Sequence, residues 1–144
     1  MASMKAKKGN PFEKLIAYNL MLLDYEVQRI DDNTKGIDLI ATYSDGTAYT
    51  IECKFHKGFS WNKLEKIFEK TVKEAHQKLP ESIPLFIFKA NQQPVLVMYG
   101  NYNIYGKCTF IVSKFEDYFC KEIGGVSHNF KIVTIPKGYK VWKK

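Results

Sequence analysis

One continuous stretch, residues 36–55, constrains the fold of this chain more than any other, because it has the pattern of a β-hairpin. Two segments rich in β-branched and aromatic residues flank residues 44–47, a serine, an aspartate, a glycine and a threonine that are typical of a turn. Apolar and aromatic side chains occupy the odd-numbered positions, whereas most even-numbered positions carry polar or charged side chains. This alternation predicts one buried face and one polar face.

The length of the turn decides which residues of the two strands face each other. A two-residue loop would place Asp38 opposite Cys53 and would bury charge. A three-residue loop with Gly46 in the left-handed region gives a G1 bulge and places Asp38 opposite Glu52. Because a slip of one residue turns every side chain to the other face, the apolar pattern selects the three-residue loop. Asp38 and Glu52 are then expected on the polar face, with Lys54 one diagonal step away.

Two opposed carboxylates suggest a metal site. Like charges directly opposite each other destabilise a sheet unless something compensates them. Mg²⁺ would do so, since it binds oxygen ligands, usually one or two carboxylates together with waters and phosphates. A neighbouring lysine, here Lys54, can then orient a water molecule or stabilise developing negative charge. The alternative is an ordinary surface hairpin, in which Glu52 and Lys54 are solvated charges.

The same residues resemble a known nuclease motif. Asp38, followed after a hairpin by Glu52, Cys53 and Lys54, is similar to the Asp…Glu-x-Lys core of the PD-(D/E)xK nucleases. The residue before Asp38 is Ile37 rather than proline, a common variation that leaves the ligand set intact.

Upstream residues extend the resemblance to the archaeal-type Holliday-junction resolvases and related small phage endonucleases. Those proteins have a basic Lys-Gly start, a glutamate on a helix and an arginine on the following strand, which here correspond to Lys8-Gly9, Glu13 and Arg29. The similarity covers roughly residues 7–100. It implies an α/β fold: a single domain with a mixed central β-sheet flanked by helices, the restriction-endonuclease-like core.

The resemblance also implies roles for individual residues. Asp38, Glu52 and the backbone carbonyl of Cys53 are expected to hold Mg²⁺, or Mn²⁺ in its place. Lys54 is expected to position the attacking water, and Glu13 to hold a second ion or a water molecule. The four side chains with expected catalytic roles are Glu13, Asp38, Glu52 and Lys54. The resemblance implies that hydrolysis displaces the 3′ oxygen and leaves a 5′ phosphate.

Glu13 also has a purely structural interpretation. Asn10 suits the N-cap of a helix, Pro11 its first position, and Glu13 the third position of a capping box. This interpretation predicts a helix from Asn10 to about Leu23, preceded by a basic arm of residues 1–9.

The rest of the chain is predicted from local patterns, and we expect one nuclease domain over residues 1–144. It divides into the arm, a catalytic core of residues 10–100 and a C-terminal extension of residues 101–144. The basic and aromatic end of the chain either contacts nucleic acid or docks on the domain through Trp142. The remaining predicted elements are strands at 25–30, 84–89, 95–99, 108–112 and 130–135, a helix at 60–79 capped by Ser60, and a helix at 113–123 opened by a capping box at Ser113.

Charge and composition favour DNA as the partner. The net charge is +7, from 22 basic and 15 acidic residues, which suits a polyanion. The resemblance to the resolvases implies four-way junctions or other branched DNA as substrates, and a homodimer, because symmetric cutting of two strands needs two active sites. DNA contacts are expected from five basic residues: Lys7, Lys8, Arg29, Lys35 and Lys57.

The expected location is the cytoplasm, or the host cytoplasm if the protein is encoded by a phage. No apolar run approaches the roughly 18 residues of a membrane span, and no signal peptide is evident. Three cysteines that lie far apart favour a reducing compartment.

The sequence thus predicts a Mg²⁺-dependent, structure-selective DNA endonuclease that resolves Holliday junctions. One alternative is a phage-type endonuclease of broad DNA specificity, or a restriction-type enzyme of the same core. A second alternative is a non-catalytic nucleic-acid-binding module. The presence of all three motif residues, Asp38, Glu52 and Lys54, argues against it.

Overall fold

The computed structural model describes residues 4–30, 37–102 and 108–142, and the side chains of residues 11–30, 37–100, 110–121 and 123–142. The predicted order α-β-β-β-α-β-β is confirmed in the first seven elements. The elements are α1 (Met4–Leu22), β1 (Glu26–Arg29), β2 (Leu39–Thr42), β3 (Ala48–His56), α2 (Trp61–Lys78), β4 (Ile83–Ala90), β5 (Leu96–Tyr102), β6 (Cys108–Lys114), α3 (Phe115–Tyr118), β7 (Lys121–Ile123) and β8 (Val126–His128).

Six strands form one mixed sheet in the order β1-β2-β3-β4-β5-β6. Strands β3 and β4 are parallel, and the other neighbours are antiparallel. Parallel neighbours need a crossover connection, and α2 supplies it. The predicted α/β class with a mixed central sheet is therefore confirmed. No helix in the described ranges is long and apolar enough to cross a membrane.

The two long helices cover opposite faces of the sheet. Ile16 and Leu20 of α1 belong to the same buried cluster as the odd-numbered Leu85 of β4. Phe68 of α2 packs in a second cluster with the even-numbered Phe86. Because both faces of β4 are buried, its sequence is a continuous apolar run instead of an alternation. Burial of each large side chain contributes about 1.5–3 kcal/mol.

The hairpin has the predicted register. Leu39 pairs with Ile51, and Thr42 pairs with Ala48, which is the alignment of the three-residue loop. Gly46 has a φ of 94°, a conformation that residues with a Cβ rarely adopt. The turn therefore fixes which side chains of β2 and β3 share a face.

The predicted start of the first helix at Asn10 is wrong. Helix α1 begins at Met4, so residues 4–9, predicted as part of an arm, are helical, and Pro11 lies inside the helix. Proline lacks the N–H that would bond to the carbonyl four residues earlier, but this local loss does not end the helix here. Glu13 consequently lies well inside α1, and the capping box does not account for it.

The second helix begins as predicted. The Ser60 hydroxyl accepts a hydrogen bond from the Lys63 backbone N–H at 3.2 Å, and α2 ends at Lys78. The capping box predicted at Ser113 is wrong, because Ser113 pairs with Val97 inside β6. The predicted helix at 113–123 is accordingly reduced to the single turn of α3.

The remaining C-terminal predictions also change. Gly124 and Gly125, which directly follow the predicted helix at 113–123, have φ values of 60° and 81° and join β7 to β8. Two successive residues with positive φ form the type of turn that matches the twist of a hairpin. Residues 130–135, predicted as a strand, pair with no strand in the described part of the chain.

Candidate active site

The structure brings Asp38, Glu52 and Lys54 together, as the hairpin register predicts. The Lys54 ammonium lies 3.5 Å from Oε1 of Glu52. Oδ2 of Asp38 accepts a hydrogen bond of 2.7 Å from the backbone N–H of Cys53. The backbone N–H of Asp38 donates to the Ile51 carbonyl at 2.8 Å, so this residue is held against β3 by both its backbone and its side chain.

The face that carries these charges is polar, as alternation predicts, but it is not solvated, so the alternative of an ordinary surface hairpin is wrong. Thr50 and Glu52 are only 0% and 4% exposed. The Thr71 hydroxyl of α2 donates a 2.5 Å hydrogen bond to Oε2 of Glu52. Glu52 is therefore not an ordinary surface charge, whereas the Lys54 side chain remains 37% exposed.

Burial changes the ionisation of both carboxyl groups. It raises the pKa of Glu52 to about 7, assisted by the negative charges of Asp38 and Glu74 and opposed by the Thr71 hydrogen bond and the Lys54 ammonium. Burial also raises the pKa of Asp38, against the backbone hydrogen bond and the positive charge of Lys54. Both shifts favour the protonated carboxyl groups in the metal-free protein, mainly because burial removes these groups from solvent.

Glu74 belongs to this site and was missed in the sequence. Its Oε1 lies 3.9 Å from the Lys70 ammonium, while its Oε2 is buried without a hydrogen-bond partner in the described part of the chain. Glu74 and Thr71 are three residues apart and therefore share one side of α2. The sequence shows that Thr71 and Glu74 lie next to the apolar stripe through Val72 and Ala75. Only the fold shows that this side of α2 faces Glu52.

Glu13 and Arg29 form a pair at the edge of the site. Oε1 of Glu13 lies 3.5 Å from Nε of Arg29, and the Glu13 side chain is 14% exposed. The positive charge of Arg29 lowers the pKa of Asp38, and the negative charge of Glu13 raises that of Cys53. The two charges therefore act on neighbouring residues of the hairpin, that of Arg29 on Asp38 and that of Glu13 on Cys53.

Of the remaining residues predicted for the site, the structure describes the side chains of Cys53 and Lys57. Cys53 points its thiol into the core on the α1 side, as predicted, and burial raises its pKa well above the ordinary value. Lys57 is exposed just beyond the end of β3. Lys35 and the side chains of Lys7 and Lys8 lie outside the described residues.

The chemistry of the donors fits a hard divalent cation. No group of three His, Cys, Asp or Glu side chains in the described ranges is arranged to hold a metal ion. Two carboxylates with a backbone carbonyl suit an ion that keeps several waters, as Mg²⁺ does, and oxygen donors also suit Mn²⁺. The buried oxygen of Glu74, which has no hydrogen-bond partner in the described part of the chain, is a further acceptor that such an ion, or a water bound to it, would satisfy.

The buried Glu52 makes a testable contribution to stability. We expect the free energy of unfolding of the metal-free protein to fall as pH rises from about 4.5 to about 7. In that interval folded Glu52 retains its proton and unfolded Glu52 has lost it, so rising pH favours unfolding. Urea denaturation in EDTA at pH 5 and pH 8 should show this loss in the wild type and less of it in Glu52→Gln. Glu81→Gln, at an exposed position, is the control, and an equal pH dependence in all three proteins would contradict the expectation.

Comparison with known proteins bears on the fold. No family model matches this chain, and no curated protein matches it. Among solved structures, Hjc of Archaeoglobus fulgidus, a Holliday junction resolvase from an archaeal hyperthermophile, is similar with a TM-score of 0.51 over 77% of this chain and 94% of that chain. The chain has a restriction-endonuclease-like fold. At 16% sequence identity this likeness concerns the fold alone, and at that level it confirms the resemblance inferred from the residues.

Proposed function

We propose that this chain is a metal-dependent DNA endonuclease that acts on four-way junctions. The observation that carries the proposal is the convergence of Asp38, Glu52 and Lys54, in which a buried carboxylate contacts an ammonium that reaches solvent. The fold shared with a Holliday junction resolvase supports the same function. In this proposal residues 10–100 are the catalytic core of one nuclease domain, and residues 101–144 extend it.

Asp38, Glu52 and the carbonyl of Cys53 would hold Mg²⁺ or Mn²⁺. A divalent cation bound there supplies Lewis-acid chemistry, since it lowers the pKa of water and neutralises charge that develops on a phosphate. The protein keeps the two carboxylates in place. Thr71 fixes one oxygen of Glu52, and the backbone N–H of Cys53 fixes one oxygen of Asp38.

Lys54 would position the attacking water or donate a hydrogen bond to a phosphate oxygen. Its contact of 3.5 Å with Glu52 orients the ammonium, and its partial exposure leaves it within reach of a substrate. The water oxygen forms a bond to phosphorus while the bond to the 3′ oxygen breaks, which yields a 5′ phosphate and a 3′ hydroxyl. Glu13 would hold a second ion or a water molecule, and its contact with Arg29 also lets it orient that arginine.

The DNA would be bound mainly through its phosphates. The net charge of +7 favours a polyanion, the positive charge of Arg29 acts on Asp38, and Lys57 is exposed just beyond the end of β3. Contacts to phosphates set position without reading sequence, so a dimer holding two strands at a fixed separation would select the shape of a junction. The homodimer is part of this proposal because paired cuts require two sites.

A competition experiment tests the substrate. The inactive Glu52→Gln variant is bound to a labelled four-way junction and challenged with unlabelled junction, flap or linear duplex. We expect junction to compete better than duplex, and the affinity to fall steeply with salt as phosphate contacts release counterions. If linear duplex displaces the junction at equal concentration, the junction assignment fails and an endonuclease of broad specificity replaces it.

A further inference from the structure

A groove lies between α1 and the C-terminal segment, on the side of the sheet that α1 covers. Its volume is about 520 Å³, within the range of about 300–1,000 Å³ typical of pockets that hold small ligands. Among the described residues that line it, two are lysines, Lys14 and Lys140, and none is acidic. Two aromatic residues, Tyr139 and Trp142, also line the groove and provide rings for stacking.

The C-terminal wall of this groove is fixed by the core. The buried side chain of Asn19 donates to the Val133 carbonyl at 3.0 Å and accepts from the Val133 N–H at 2.7 Å. Val141 is 7% exposed and packs in the α1 cluster. A turn closed by a 3.0 Å hydrogen bond from Tyr139 N–H to the Pro136 carbonyl presents the tyrosine, whose ring packs on α1. Of the two alternatives for the tail, docking on the domain is observed, with Val141 as the buried anchor, while Trp142, the residue expected to anchor it, is only partly buried against the same cluster.

One arginine connects the groove to the candidate active site. The guanidinium carbon of Arg29 lies 6.0 Å from the centre of the Trp142 ring, a distance compatible with a cation–π contact. The same arginine contacts Glu13 at 3.5 Å, and its charge acts on Asp38. Arg29 thus contacts both Glu13, at the edge of the candidate site, and Trp142, which lines the groove.

We propose that this groove binds a short unpaired stretch at the branch point of the substrate DNA. A base would stack on Trp142 or Tyr139, and Lys14 and Lys140 would neutralise the adjacent phosphates. Basic grooves lined by aromatic rings bind single strands in this way without reading sequence. The proposal rests on the proposed nuclease function and assigns it a specific subsite, which duplex DNA with stacked bases does not fill.

The test uses tryptophan fluorescence as a direct report on stacking. The chain has two tryptophans, and Trp61 is 54% exposed on α2, so Trp61→Phe leaves Trp142 as the single reporter. In an inactive Glu52→Gln background, titration with a short single-stranded oligonucleotide should quench this fluorescence to saturation. Linear duplex of equal length should quench it less.

Charge reversal provides a second readout that does not depend on Trp142. Lys14→Glu combined with Lys140→Glu should weaken binding of the labelled oligonucleotide about tenfold or more. Lys131→Glu combined with Lys137→Glu is the matched control, since both lysines are exposed in the same segment but do not line the groove. The control should lose less affinity, because it changes net charge equally without touching the groove.

The outcomes separate this subsite from the function on which it rests. Binding of the oligonucleotide without quenching, or equal loss of affinity in the two double variants, overturns the subsite and leaves the nuclease proposal standing. If the protein binds neither the oligonucleotide nor a four-way junction, both proposals fall. Circular dichroism confirms that each variant is folded before it is titrated.

Discussion

Cleavage of DNA is expected to fall by on the order of 10³-fold or more when Asp38 is replaced by asparagine or Glu52 by glutamine. Both substitutions keep the size of the side chain and remove a negative charge that would hold the metal ion. Glutamine can still accept the hydrogen bond from Thr71, so the local fold should survive. DNA binding should persist or tighten, because one negative charge near the phosphates is gone.

Single-turnover cleavage and a gel-shift Kd measured on the same variants separate chemistry from binding. Glu81→Gln is the matched control, since this exposed glutamate lies outside the site and its loss should leave both values unchanged. Cleavage within about tenfold of wild type, or roughly 1.4 kcal/mol in the barrier, would remove Asp38 and Glu52 from the mechanism.

Lys54→Ala is expected to lower the single-turnover rate by on the order of 10²-fold, the effect of losing one preorganised stabilising group. Metal affinity should persist, because the ammonium is not a metal ligand. Loss of the contact at 3.5 Å leaves the buried Glu52 carboxylate with less compensation, which should if anything favour a cation.

Calorimetric titration of Mg²⁺ or Mn²⁺ into wild type and Lys54→Ala tests this separation of roles. Lys66→Ala, at an exposed position of α2, controls for the loss of one positive charge. A collapse of metal affinity together with the loss of cleavage would make Lys54 a structural residue instead.

The sequence predicts the hairpin well because its register depends on local rules. The alternation of side chains and the three-residue turn at Gly46 suffice to align Leu39 with Ile51, and hence to bring Asp38 towards Glu52. These rules do not show what covers the sheet. The hydrogen bond from Thr71 to Glu52 joins residues 19 positions apart, so the burial of this face and the presence of Glu74 follow only from the packing of α2.

Local signals failed where tertiary pairing competes with them. Ser113 has the spacing of a helix cap, but the ladder of β6 with β5 includes it, and its hydroxyl instead lies 3.1 Å from the Tyr99 hydroxyl. Asn10 and Pro11 have the pattern of a helix start, yet α1 continues through them. Residues 130–135 are apolar enough for a strand, but the Asn19 side chain satisfies the Val133 backbone in place of a neighbouring strand.

The central claim is that Asp38, Glu52 and Lys54 form a metal-dependent nuclease site, and one cleavage assay tests it most directly. An end-labelled four-way junction is incubated under single-turnover conditions with wild type or Glu52→Gln, in EDTA and in Mg²⁺, beside a flap and a linear duplex. The account predicts paired nicks of matching polarity near the crossover, only for the wild type and only with the divalent ion. Equal cleavage by Glu52→Gln, or none of any substrate by the wild type in Mg²⁺ or Mn²⁺, would contradict it.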